Sequence, residues 1–244
     1  MGEEYSWGKT LLMTRIHIIC EGQTEESFVK EILMPFFNHQ GISLFPRLLG
    51  KPGHKGGNVK FERLYTDIRG YLLSDRKCYV TTFFDFYGLP EKFPGKKEAV
   101  TKSGVAEKSK CLLDHLRKAL EEKLDKEPLR RFILYVQMYE FEGLLFSDPE
   151  KLAQGINCSN LINNFQKIRK EFSSPEEINN SSNTAPSKQI KKLYPAYGKP
   201  TDGLSAAIEI GIDTIRKECS LFNQWLERLE KLTPILSENQ AIFC

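Results

Sequence analysis

The sequence predicts an α/β protein: a mainly parallel four-stranded sheet flanked by helices, with a C-terminal helical annex. Three observations carry that expectation. Short β-branched or aromatic runs alternate with amphipathic helical segments through about residue 147. No strand signal follows Asp148-Pro149. Acidic residues fall just past the ends of the strand-like runs, where parallel sheets place their ligands.

The first run, Arg15 to Cys20, reads as a strand that closes on the turn Glu21-Gly22-Gln23. Thr24 reads as a helix N-cap, with Glu25 and Glu26 in a first turn that favours anions. Phe28, Ile32, Leu33 and Phe36 then share one helical face. Ile42 to Leu49 reads as the second strand, interrupted by Pro46, and Val59 to Leu73 as an amphipathic helix. Tyr79 to Phe84 is the third strand and ends at Asp85. A loop rich in Gly and Pro follows, then a charged helix from about Gly104 to Lys123. Arg131 to Met138 is the fourth strand, ending in Tyr139-Glu140-Phe141-Glu142. Asp148-Pro149 opens a helical stretch, with amphipathic segments at Ser187 to Tyr194, Leu204 to Arg216 and Glu218 to Leu232. The organisation expected is an N-terminal extension over 1–13, a core over 14–147, and an annex over 148–244 packed on that core.

Composition sets the class. A chain of 244 residues is long enough to bury a core without disulfide or metal staples. Its formal net charge of +3 is too small to identify a partner. The six cysteines form no C-x-x-C pair and match no zinc spacing, which favours free thiols in a reducing compartment. The segment Met1 to Thr14 has no apolar core and carries Glu3 and Glu4, unlike a signal peptide. No apolar run approaches the roughly 18 residues of a membrane span. The expectation is a cytoplasmic protein with no membrane partner.

The acidic residues are the main chemical candidates. Glu21 ends the first strand, Asp85 the third, and Glu140 and Glu142 the fourth. Glu25, one helical turn beyond Glu21, can point back to the same crevice. Two or three carboxylates suffice for a hard cation that keeps several of its waters. Each residue also has a plainer reading. Glu25 and Glu26 complement the helix dipole, Glu142 is a solvated first-turn residue, and Asp85 shapes a turn. The loop Lys51-Pro52-Gly53-His54-Lys55-Gly56-Gly57 joins cations to glycines, so Lys55, Gly56 and Gly57 are phosphate-binding candidates; a solvated loop is its plainer reading. Lys188, Lys191, Lys192 and Lys199, interleaved with Tyr194 and Tyr197, suit a nucleic-acid backbone, although a solvated helix face explains them more simply. His54 is a weak ligand candidate, and His17 belongs to the first strand.

Three ordered motifs carry a resemblance. Glu21-Gly22-Gln23-Thr24-Glu25, Asp85-Phe86-Tyr87-Gly88-Leu89-Pro90 and Glu140-Phe141-Glu142-Gly143-Leu144-Leu145-Phe146 resemble the bacterial domain-of-unknown-function family 4276. Pro175-Glu176-Glu177-Ile178-Asn179, Ala185-Pro186-Ser187-Lys188 and Tyr197-Gly198-Lys199 are also similar. The resemblance runs from about Arg15 to Leu232 and implies a Toprim-like fold. It implies that Glu21 matches the Toprim glutamate and Asp85 the first aspartate of the Asp-x-Asp motif. Tyr87 stands where the second aspartate is expected, so Glu140 or Glu142 is the substitute ligand.

The function expected from residues and resemblance together is a Mg²⁺- or Mn²⁺-dependent nuclease acting on DNA or RNA. Glu21, Asp85 and Glu140 or Glu142 would be the metal ligands, Glu25 a general base, and Lys55, Gly56, Gly57 and Lys188 the phosphate contacts. By analogy with relatives of the fold, it would be an effector of bacterial anti-phage defence beside an ATPase. The alternative is a non-catalytic partner or toxin subunit of such a complex, docking through Phe86, Tyr87 and Phe93.

Overall fold

Strand β1 (Thr14–Cys20) is the axis of the sheet, and its sequence Ile16-His17-Ile18-Ile19-Cys20 sends apolar side chains to both faces. The computed structural model describes residues 13–49, 59–178 and 184–236. Helix α1 (Gln23–Phe28) follows β1 and runs through a π-helical segment, Val29–Leu33, into α2 (Met34–Asn38). Thr24 lies inside the first turn instead of capping it. Gly22 is the cap residue, and its amide donates to Glu25 Oε2 at 2.9 Å. Strand β2 (Ile42–Leu48) pairs in parallel with β1. It contains Pro46 because it is an edge strand, where a missing N–H is tolerated.

Helix α3 (Phe61–Ser74) crosses to β3 (Cys78–Phe83), which pairs with the other side of β1. Then come α4 (Lys96–Val100), α5 (Gly104–Glu121), α6 (Lys126–Leu129) and β4 (Phe132–Ile133). The sheet is four-stranded and parallel throughout, in the order β2-β1-β3-β4. The fourth strand is far shorter than its apolar run suggests. Beyond Ile133 the Thr82 hydroxyl, not its backbone, donates to Tyr135 O at 2.6 Å, interrupting the ladder. Pairing resumes at one isolated bridge between Asp85 and Gln137, where Gln137 N donates to Phe84 O and Phe86 N to Gln137 O.

Among the described residues no strand follows β4. Helices α7 (Glu142–Leu145), α8 (Pro149–Gly155), α9 (Ile162–Lys170), α10 (Pro186–Leu193), α11 (Lys199–Ile210), α12 (Ile212–Glu218) and α13 (Ser220–Glu230) follow it. Asp148 caps α8 through Oδ1, which accepts the amides of Glu150 and Lys151. The single helix expected over Leu204 to Arg216 is two. Gly211 breaks it with φ 80 and ψ 148, a conformation essentially closed to other residues.

Both faces of the sheet are covered. One core joins Ile19, Val80 and Phe84 to Leu64, Ile68 and Leu72 of α3 and Leu112, Leu116 and Leu120 of α5. The other joins Ile16, Ile18, Cys20 and Phe83 to Phe28 of α1 and Phe222, Trp225 and Leu226 of α13. Trp225 ties the last helix to the sheet. Its ring stacks on Tyr135 at 4.3 Å and 4°, and Nε1 donates to Thr81 Oγ1 at 2.9 Å. Thr81 passes the bond on to Ile133 O at 2.7 Å. Buried Glu176 does similar work, accepting the amides of Leu221 (3.0 Å) and Phe222 (2.9 Å) at the start of α13.

Replacing Trp225→Ala is expected to lower unfolding free energy by about 3–5 kcal/mol in a urea titration. Trp225→Phe, which keeps an aromatic ring but not the N–H, is expected to lose about 1–2 kcal/mol.

Candidate functional site

The ends of β1 and β3 bring their acids together through backbone contacts. Glu21 Oε2 accepts the amide of Asp85 at 3.1 Å, so the two strand-end residues are locked to each other. The loop after Asp85 crosses directly over the Glu21 carboxylate at Gly88. A Cβ at Gly88 would stand 2.4 Å from Glu21 Oε1, so no larger residue fits without displacing that side chain. The loop is fastened from outside by Lys96, whose Nζ donates to Phe86 O and lies 3.4 Å from the Phe86 ring centroid. Burial, and then the Lys108 charge, lower the Lys96 pKa to about 8.

The remaining acids arrive from the turn after β4. Tyr139 takes φ 62, a left-handed conformation uncommon for an aromatic residue. Past that turn Glu142 opens α7 fully buried, while Glu140 keeps 15% of its side chain exposed. Glu140 Oε2 accepts the amide of Ser187 at 3.0 Å. Lys199, first residue of α11, reaches Glu142 Oε2 at 3.0 Å and Glu140 Oε1 at 3.7 Å. Tyr197 is buried nearby, and the charge of Glu142 acts on its hydroxyl.

The electrostatics are lopsided. Burial raises Asp85 well above an ordinary aspartate, and the charges of Glu25, Glu21 and Glu142 raise it further. Burial, then Glu21 and Glu142, push Glu25 up to about 7. Glu21 and Glu142 are also raised, by burial first and then by Glu140, with Lys199 opposing. Burial alone would lower Lys199, but Glu142, Glu140 and Asp85 hold it above an ordinary lysine. Two carboxylate oxygens, Asp85 Oδ1 and Glu142 Oε1, are buried without a hydrogen-bond partner among the described residues. Buried polar atoms are rarely left so. An all-oxygen donor set with surplus negative charge and two unmatched oxygens fits a hard divalent cation.

Glu21, Glu25, Asp85 and Glu142 therefore share one electrostatic site, each sensing the charge of others, and the charge of Glu140 acts on Glu21 and Glu142. Lys188 is exposed on α10, one residue past the amide that holds Glu140. Lys55, Gly56, Gly57 and His54 lie outside the described residues. Phe86 and Phe93 are buried at 3% and 2% exposure, which removes the aromatic docking surface expected of them. Tyr87 is half-buried against Tyr139, ring centroids 5.8 Å apart. Lys199 is the residue whose role sequence reading missed. It reads as part of a basic surface stretch, and only the fold turns it into the counter-charge of Glu142.

A different set is the tighter one. Among the described residues, His17, Asp75 and Cys78 form the only trio of His, Cys, Asp or Glu whose ligand atoms all lie within 4.8 Å of one another. Asp75 is already paired with Arg15 at 2.9 Å, Arg47 Nε lies 3.4 Å from His17 Nδ1, and Arg131 donates to the backbone of Cys78. Three guanidiniums around this trio oppose a cation. The carboxylates at the strand ends stand further apart, as suits a metal that retains water.

Gly88→Ala is expected to displace Glu21 and to weaken Mn²⁺ binding about 10–100-fold by calorimetry. The crowded acids also set a pH dependence. Their folded-state pKa values exceed the unfolded ones, so the folded chain holds more protons as pH rises past about 4.5. Stability of the metal-free protein should fall up to about pH 7, and Glu25→Gln should flatten that decline. Thermal melts of both proteins in chelator between pH 5 and 8 test this; a wild-type Tm that rises with pH would contradict it.

No curated protein matches this sequence. Among solved structures, the chain is similar to the C-terminal region of the Burkholderia pseudomallei OLD protein, with 16% identity, a TM-score of 0.46, and coverage of 89% of this chain and 97% of that one. It is also similar to the C-terminal region of the Xanthomonas campestris pv. campestris OLD protein, with 14% identity, a TM-score of 0.41, and coverage of 89% and 94%. No helix among the described residues is long and apolar enough to cross a membrane. The family model described as "Domain of unknown function (DUF4276)" matches residues 20–230, nearly the whole chain, and the protein belongs to that family.

Proposed function

We propose that the protein is a metal-dependent nuclease hydrolysing phosphodiester bonds of DNA or RNA. The observation that carries this reading is the pair of unmatched buried oxygens, Asp85 Oδ1 and Glu142 Oε1, facing a site with more carboxylates than cations. Glu21, Asp85 and Glu142, with Glu140 at the rim, would hold Mg²⁺ or Mn²⁺. Such an ion supplies Lewis-acid polarisation of a phosphoryl oxygen and a more acidic water.

The chain's own groups divide the remaining work. Glu25, buried beside Glu21 and Glu142, would accept a proton from water. The Asp85 amide orients Glu21, and the Ser187 amide orients Glu140. Lys199 offsets part of the charge of Glu142 and Glu140, reaching them at 3.0 and 3.7 Å. Burial of Glu142 and of Glu25 limits water access, which strengthens every charge interaction inside.

The reading extends to a cytoplasmic effector of bacterial anti-phage defence that works beside an ATPase. That extension rests on the family resemblance alone, and an ATPase co-purifying with the chain would support it. The second reading, a non-catalytic subunit, is favoured by Tyr87, which packs against Tyr139 where a further carboxylate is expected. Calorimetry with Mn²⁺ separates the two: heat of binding lost in Asp85→Asn supports the nuclease, and no binding to the wild-type chain supports the subunit.

Glu21→Gln and Asp85→Asn are each expected to lower Mn²⁺-dependent cleavage at least about 100-fold in a gel assay. The wild-type rate should rise with pH as Glu25 ionises, and Glu25→Gln should abolish that rising limb. Cleavage by Glu21→Gln at the wild-type rate would overturn the mechanism.

A further inference from the structure

Between α5 and α13, beside the residues that continue β4, lies a cavity of about 530 Å³. Small-molecule sites typically occupy roughly 300–1,000 Å³. Buried Leu134 and Tyr135 form its floor, with an edge of Trp225. Half-buried Leu113 and Leu221 add an apolar wall. Lys110, Asp114, Arg117, Gln224 and Arg228 ring its exposed rim.

Two guanidiniums line this cavity from opposite helices, Arg117 from α5 and Arg228 from α13. They are close enough for the charge of Arg117 to act on Arg228, whose pKa burial first and then that charge lower. Among the described residues no acid lies within ion-pair distance of either. Asp114, one turn before Arg117, is 3.7 Å from Lys110 instead. On α13, Glu227 accepts from Asn223 and Glu230 pairs with Arg216. Arg228 stands in the last turn of its helix, where a cation complements the dipole, but Arg117 stands before the last turn of α5. One exposed arginine is ordinary. A second, brought to the same cavity without an acid between them, suits an external anion.

The backbone at the floor is also short of an acceptor. Leu134 O already accepts Arg228 Nη1 at 3.2 Å, while the Leu134 amide has no hydrogen-bond partner among the described residues. An edge with both groups open invites a further strand. Here the carbonyl is occupied and a donor is left, so the edge suits an oxygen-rich ligand better than a peptide strand. Arg117 keeps all its N–H groups and Arg228 those beyond Nη1, and a guanidinium meets phosphate oxygens two at a time. A phosphate monoester carries about two negative charges near neutral pH, which matches two guanidiniums better than a single carboxylate does. We propose that the cavity between α5 and α13 binds a small organic phosphate, its phosphate between Arg117 and Arg228 and a flat apolar body over Leu134, Leu113 and Leu221. This site stands apart from the carboxylates and does not rest on the nuclease reading.

The test uses the full chain in chelator, so that no cation bridges phosphate to the carboxylates. Calorimetry with AMP and with 1-naphthyl phosphate should show a single site for each. Adenosine lacks the dianion and inorganic phosphate lacks the ring, so each should bind at least about tenfold more weakly. Arg117→Gln should weaken both organic phosphates at least about tenfold, as expected for loss of a charge-assisted hydrogen bond. Arg117 is exposed and bonds nothing among the described residues, so this variant should melt like wild type. Gln224→Glu, which sets an acid on the exposed rim, should weaken binding in the same direction. Affinity should fall as KCl rises, and less steeply in Arg117→Gln. A wild-type chain that binds neither organic phosphate overturns the site, as does equal affinity in wild type and Arg117→Gln. Displacement of AMP by an unphosphorylated oligodeoxynucleotide at equal concentration would assign the cavity to a nucleic-acid backbone and overturn the small-molecule class.

Discussion

The crowding of carboxylates beyond the strand ends is the constraint around which the rest of the structure is arranged. Two like charges 4 Å apart repel by about 4 kcal/mol at the effective dielectric of a protein surface, and by more when water is excluded. Glu21, Glu25, Asp85 and Glu142 feel one another's charge in this way, and Glu25 and Glu142 are nearly or fully out of water. A fold can hold such a cluster only if something offsets it. Backbone amides do part of this, those of Asp85, Gly22 and Ser187 each binding one acid. Lys199 does another part. What remains unmatched, the two bare oxygens, is what a bound cation would complete.

That arrangement explains why the later helices matter to a site whose acids all precede residue 143. Lys199 acts from the first turn of α11, and α11 is held by unusually close packing against α8. A Cβ at Gly155 would stand 2.5 Å from Ala206 Cα, so glycine and alanine let the two helix backbones approach. The same segment is stiffened at its start, where Gly198 N donates to Asp202 Oδ2 at 2.8 Å. Glu176 and Trp225 fix α13 to the sheet from the other end. A counter-charge must be placed to within a hydrogen-bond length to be useful, and these contacts place it.

Much of this was legible in the sequence, and for one reason. In a parallel sheet the residue after each strand faces the same crevice, so Glu21, Asp85 and the Glu140–Glu142 turn could be located from strand ends alone. The features that escaped are those set by distant partners. Tyr135 to Met138 has strand composition, but the Thr82 hydroxyl takes its ladder bond, and no local pattern announces that. Phe86 and Phe93 look like surface aromatics in a Gly- and Pro-rich loop, yet Lys96 pulls that loop inward over them. Lys199 lies 57 residues from Glu142 in the chain and resembles its solvated neighbours Lys191 and Lys192. Gly211 was visible as a glycine, but its left-handed φ was not.

The tyrosine at position 87 bears on how such a site keeps its donors. A second aspartate in that loop would add a fifth buried or half-buried acid beside Asp85, whose pKa burial and three neighbouring carboxylates already raise. Tyr87 adds no charge. It braces the loop instead, its amide bonding Tyr139 O at 3.1 Å and its ring resting on Tyr139, the residue whose left-handed turn delivers Glu140 and Glu142. At this position the chain has, in place of a further acid, a contact that braces the turn carrying Glu140 and Glu142. Counted by oxygens, Glu25 and Glu142 already exceed what one aspartate would supply, and a hydrated ion needs no more than two or three carboxylates. A tyrosine at position 87 is therefore compatible with the proposed metal site, because the turn after β4 brings Glu140 and Glu142 to the same cluster of acids.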